Sequence, residues 1–108
     1  MTSVLFKRDS GKLVSVHIED HAGYADAGED IVCSAISAIS LTIANGITEV
    51  LNIKANCTVQ DGYLLINLQD LKEKEIEECQ TLMETMLLGL KNVELSYGDY
   101  IKVEVEEV

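Results

Sequence analysis

Residues 54–68, KANCTVQDGYLLINL, decide the fold class. The two outer runs are β-like, and Asp61-Gly62 between them is a preferred two-residue hairpin turn, whose central residues both need positive φ. The N-terminus repeats the pattern: SVLFKR and KLVSVHIE, separated by DSG, predict a second hairpin. Val14, Val16 and Ile18 fall on one face of that strand, Ser15 and His17 on the other. Near the C-terminus YIKVEVEE alternates cleanly, with Ile101, Val103 and Val105 opposed to Tyr100, Lys102 and Glu104, as in a half-exposed strand.

Two longer segments lie between the hairpins and the last strand. From Ile31 to about Leu51 the chain is apolar at nearly every turn (Val32, Ala35, Ile36, Ala38, Ile39, Ile43, Ala44, Ile47), and its length favours a helix buried on several sides. From about Lys72 to Leu95, Ile76, Cys79, Met83, Met86, Leu87, Leu90 and Val93 recur at three- and four-residue steps, which predicts a second, amphipathic helix. The order β-β-α-β-β-α-β predicts an α+β fold, two helices packed on a mostly antiparallel sheet. Its 108 residues contain no proline, linker or repeat, so residues 1–108 read as a single domain.

Charge narrows the partners. Eight Lys and Arg against nineteen Asp and Glu give a net charge of −11, which argues against direct nucleic-acid binding and favours a basic partner or substrate. A domain this small leaves much surface to hide by association. The three cysteines, Cys33, Cys57 and Cys79, are odd in number and lack CxxC spacing, so neither a disulfide framework nor a structural zinc site is expected. No metal or other cofactor is implied. The opening MTSVLFKRDSGK has no apolar signal core, and no apolar run is expected to reach membrane-spanning length. A cytoplasmic chain with reduced thiols and no membrane association is the expectation.

The reactive chemistry concentrates in residues 21–37, HAGYADAGEDIVCSAIS. With a helix beginning near Ile31, Asp30 is a good N-cap and Cys33 lies in the first turn, where the helix dipole favours a thiolate. His21, twelve positions earlier at the end of the second strand, is a candidate base, and a Cys–His pair is a standard nucleophile-and-base arrangement. Ser37 lies one turn beyond Cys33 on the same helix face, able to bond a site member or the substrate. Each residue also has a plain structural reading. A cysteine on an apolar helix is usually a small buried hydrophobe, Ser37 can bond back to a helix carbonyl, and Cys57 and Cys79 sit at core-facing positions.

His21-Ala22, a glycine-bearing loop, and then Gly28 and Asp30-Ile31-Val32-Cys33 with Ala35 and Ser37 resemble the signature of the ribosomal-processing cysteine proteases, Prp: GHA, a short loop, then G-x-DIVCAA-x-S. The length, the element order and the LMETMLLGL run fit that family along the whole chain. The resemblance implies a dimeric cytoplasmic cysteine endopeptidase. Its substrate would be large-subunit ribosomal protein L twenty-seven, shortened by removal of an N-terminal extension, with cleavage after an aromatic residue. The family's catalytic pair maps onto Cys33 and His21, and its motif Asp and Ser onto Asp30 and Ser37. Asp30 would then cap the helix or orient His21. The loop from Ala22 to Glu29 resembles a segment that moves around substrate, with Gly23 and Gly28 as flexible points. Where the family has Gly directly before the His, this chain has Asp20, which either restricts the backbone or favours a charged His21; Ser34 replaces an Ala. Two other readings stand beside the protease: a non-catalytic acidic dimer that binds a basic ribosomal protein, and a redox-sensing thiol.

Overall fold

A computed structural model describes residues 1–20 and 27–108, with backbone alone at 27–30. The elements are β1 (Thr2–Asp9), β2 (Lys12–Asp20), α1 (Ala27–Asn45) continued by a π-helical turn (Gly46–Val50), β3 (Asn56–Gln60), β4 (Tyr63–Asn67), α2 (Glu73–Glu78), α3 (Gln80–Tyr97) and β5 (Ile101–Glu107). The strands form one sheet in the order β3-β4-β2-β1-β5. Three neighbouring pairs are antiparallel and the β1–β5 pair is parallel. The C-terminal helices carry the chain from β4 across to the far edge of the sheet, where β5 adds parallel to β1. The α+β class and the mostly antiparallel sheet hold as read from the sequence.

Register is set by apolar rows that cross the sheet. Val103, Val4, Ile18, Leu64 and Val59 form one row, and Val105, Phe6, Val16, Ile66 and Cys57 the next. Both rows point toward the helices. There Val32, Ile36, Ile43 and Ile47 from α1 and its π turn meet Met83, Met86 and Leu90 from α3 in one core. The two helices run antiparallel, because Gly89 lies against Ile39 and Gly46 against Leu82; a methyl group at Gly46 would meet Leu82 Cδ1 at 3.1 Å. His17 lies on the opposite sheet face, its ring edge-on to Tyr63 at 5.0 Å.

Several local expectations are corrected. The two-residue turn with positive φ at both centres is Ser10-Gly11 (φ 53° and 84°); at Asp61-Gly62 only Gly62 is positive, at 72°. The latter turn is also held from outside, since the Asp20 N–H donates to the Gly62 carbonyl at 2.9 Å. The first helix begins at Ala27, four residues before Ile31, so Gly28 and Glu29 belong to the helix and not to the loop. Ala27 and Glu29 are good helix formers, and an acidic first turn suits the helix dipole, which together outweigh one glycine. The second helical segment is interrupted at Cys79, whose N–H is shared between the carbonyls of Glu75 and Ile76 at 3.2 Å each. Residues Ile31–Val50, with mean hydropathy 1.7, are long and apolar enough to cross a membrane by length and composition, contrary to the sequence expectation. Their sheet-facing side is spent on the core.

Gln80 explains why the break at Cys79 is stable. Its side-chain amide pairs with the backbone of Leu13 like a neighbouring strand: Leu13 N–H donates to Oε1 at 2.8 Å and Nε2 donates to the Leu13 carbonyl at 2.8 Å. Nε2 also reaches the Ile76 carbonyl at 3.0 Å. The clip ties the start of α3 to β2, where Leu13 is fully buried. Gln80→Leu leaves both Leu13 backbone groups unpaired and is expected to lower stability by about 2 kcal/mol. A urea unfolding midpoint equal to wild type, at unchanged slope, would contradict this.

Candidate active site

Alternation along β2 carries the chain from core to chemistry. Val16 and Ile18 face the helices, so Asp20 does too, while His17 and Glu19 face away. Across the sheet Asp20 pairs with Thr2, which is buried and donates its hydroxyl to Asp20 Oδ1 at 3.4 Å. The other carboxylate oxygen meets Cys33: the thiol donates to Oδ2 at 3.5 Å, a hydrogen-bonding distance for the larger sulfur atom.

Cys33, Ser37, Ser40 and Leu41 recur along one stripe of α1 and face a cleft of about 180 Å³. The far wall is the β3–β4 hairpin from Val59 to Leu64, and the floor includes Ile18 and Ile36. The apolar walls are Ile18, Ile36, Leu41, Val59 and Leu64, and among the described lining residues the carboxylates are Asp20 and Asp61. No lysine or arginine is among the described lining residues. Ser40 is 1% exposed, and its hydroxyl has no hydrogen-bond partner among the described residues. A cavity of ~150 Å³ accepts a benzene ring, so this one has room for one aromatic or large aliphatic side chain beside a sulfur nucleophile.

The predicted site residues fare differently. Cys33 and Ser37 are brought to the same cleft. His21, Ala22 and Gly23 lie outside the described residues. Gly28 and Asp30 are in the first turn of α1, so Asp30 does not occupy the N-cap position expected for it. Cys33 is correspondingly displaced from the first turn. It is the seventh residue of the helix, beyond the run of amides that lack an intrahelical partner. The helix dipole therefore does less for its thiol than the sequence suggested, because that effect fades past the first turn. Sequence reasoning missed Thr2, Ser40 and Asp61 as residues that line the cleft with Cys33. Ser40 was the most accessible of these, since it stands seven residues after Cys33, two helical turns on.

The other two thiols differ from Cys33 in surroundings. Cys79 is fully buried, and burial with help from Glu78 and Glu75 pushes its pKa up to about 11. Burial also raises that of Cys57. Both are thereby held as poor nucleophiles at neutral pH.

Known proteins carry the same architecture. A family model described as cysteine protease Prp matches residues 1–102. The ribosomal processing cysteine protease Prp of Staphylococcus aureus is 29% identical over 97 residues, covering 88% of this chain and 89% of the relative. The crystal structure of a Streptococcus mutans protein superposes with a TM-score of 0.89 at 30% identity, over 100% of this chain and 96% of that one. The S. aureus protease in complex with a substrate peptide superposes with a TM-score of 0.82 at 25% identity, covering 98% of this chain and 100% of that one.

The thiol environments set an order of reactivity. Iodoacetamide at neutral pH is expected to modify Cys33 first, Cys57 more slowly and Cys79 last, read by peptide mapping over time. Modification of Cys79 before Cys33 would contradict the assignment.

Proposed function

Because the chain belongs to the cysteine protease Prp family, we propose that it is the endopeptidase that removes the N-terminal extension of ribosomal protein L twenty-seven, with Cys33 as nucleophile and His21 as its base. The observation that carries this reading is the position of the Cys33 thiol, half-buried at an apolar cleft, 3.5 Å from the carboxylate of the residue that directly precedes His21 in the chain. In the proposed reaction His21 takes the thiol proton, Sγ attacks the scissile carbonyl, and the amine leaves with the proton from His21. Water then releases the acyl group from sulfur. The cleft holds one large apolar side chain next to the scissile bond, which suits cleavage after an aromatic residue. In this reading Ser37, on the cleft-facing stripe of α1, bonds a site member or the substrate. A net charge of −11 draws a basic ribosomal protein toward the cytoplasmic enzyme, and this attraction weakens with salt.

A homodimer is part of the proposal. From Ile31 to Thr48 there is no charged residue. On the helical layer Ile31, Leu88 and Leu95 are 59%, 63% and 85% exposed. Two copies that each carry a large negative charge meet at lower cost on this largely apolar layer, where Lys91 is the exposed charge between Leu88 and Leu95, and a two-fold axis makes one such patch self-complementary.

Intact-mass spectrometry of extended L twenty-seven, mixed with wild type or Cys33→Ala, tests the activity. Loss of a defined N-terminal peptide with the wild type alone is expected. Raising salt should slow cleavage of the full-length protein more than that of a short neutral peptide. A substrate left whole, yet retained by both proteins, would favour the acidic binding module. For the assembly, Leu88→Asp is expected to halve the mass seen by light scattering, and an unchanged mass would exclude this face.

A further inference from the structure

Asp20 is built into the site from three directions. Its Oδ2 receives the Cys33 thiol at 3.5 Å, and its Oδ1 receives the Thr2 hydroxyl at 3.4 Å. Its N–H donates to the Gly62 carbonyl at 2.9 Å, which fixes the backbone against the β3–β4 turn. Thr2 is itself held, since its N–H donates to the Tyr100 carbonyl at 2.8 Å. This carboxylate is therefore not a surface acid that reaches the sulfur by chance.

We propose that Asp20 is a functional member of the active site that keeps Cys33 in its neutral thiol form in the resting enzyme. A thiol can donate to a carboxylate, whereas a thiolate has no proton to donate and would face a like charge across the same gap. The other described titratable residues that line the cleft are Asp61, from the β3–β4 turn, and Tyr63, from β4. Cys33 is the seventh residue of α1, beyond the first turn where the helix dipole acts most strongly.

The proton balance is simple. In the resting enzyme the proton is bonded to Sγ and shared toward Asp20 Oδ2. Attack requires it to leave sulfur for a base, which is His21 in the reading above, and the catalytic consequence of this inference rests on that reading. Asp20 neither gives up nor takes a proton in this sequence of steps, and its Oδ2 touches the reacting sulfur. Its effect is to make thiolate formation depend on that transfer, so the nucleophile is not permanently armed.

The test is the rate of iodoacetamide alkylation of Cys33 against pH, followed by peptide mapping, in wild type, Asp20→Asn and Asp20→Gly. Asn keeps the shape and removes the charge, and Gly removes the side chain; circular dichroism checks the fold of each. Both variants are expected to move the alkylation midpoint down by about one pH unit, equivalent to roughly tenfold faster alkylation on the acid side of the wild-type midpoint. Superimposable profiles would overturn the proposal, and so would a midpoint that moves up. Cleavage of a peptide spanning the L twenty-seven processing site is measured in parallel on the wild type. If it is absent while the midpoints still separate, the proteolytic reading fails and the role of Asp20 toward the thiol stands.

Discussion

Alternation of side chains from Ser15 to Asp20 of β2, beyond a bulge that turns Leu13 and not the expected Val14 into the core, is the constraint on which the site depends. Val16 and Ile18 are held toward the helices by rows of apolar neighbours that span all five strands. Once they are fixed, Asp20 must face the same way. A register slip of one residue would drive His17 and Glu19 into the core and turn Asp20 out to solvent. Core packing thus positions the carboxylate that meets Cys33, and the chemistry inherits its precision from apolar burial.

Helix α1 serves three surfaces with one uncharged sequence. Val32, Ile36 and Ile43 bury against the sheet, Cys33, Ser37 and Leu41 face the cleft, and Ile31 points outward. This is why the segment has the hydropathy of a membrane span while half its work is that of a core helix. Site polarity has to come from elsewhere, and it does: Asp20 belongs to β2 and Asp61 to the hairpin turn. Small side chains on α1 leave room for both.

Burial sorts the three thiols. Cys79 is enclosed where the C-terminal helical segment breaks, beside the Gln80 clip, and Cys57 is partly covered at the edge of the sheet. Desolvation disfavours the charged form in each, which leaves them as packing groups. Cys33 lies half-buried between core and solvent, with a carboxylate for company.

The sequence by itself determined the hairpins, both helical segments, the α+β class and the candidate residues Cys33 and Ser37, because these rest on periodicity and spacing within one element. It also carried the family signature, since that is a local string. Helix ends were less legible. Asp30 reads as an N-cap, yet the helix begins at Ala27, because the good helix formers Ala27 and Glu29 outweigh that one local signal. At Asp61-Gly62 only Gly62 takes positive φ, and the Asp20 N–H holds that turn from outside. Only the tertiary structure decided that Asp20, thirteen residues from Cys33, would touch its sulfur, and that Thr2 and the β3–β4 turn would hold it there. Such contacts depend on how a strand, a helix and a hairpin converge, and convergence is fixed by the shared core and not by any one segment.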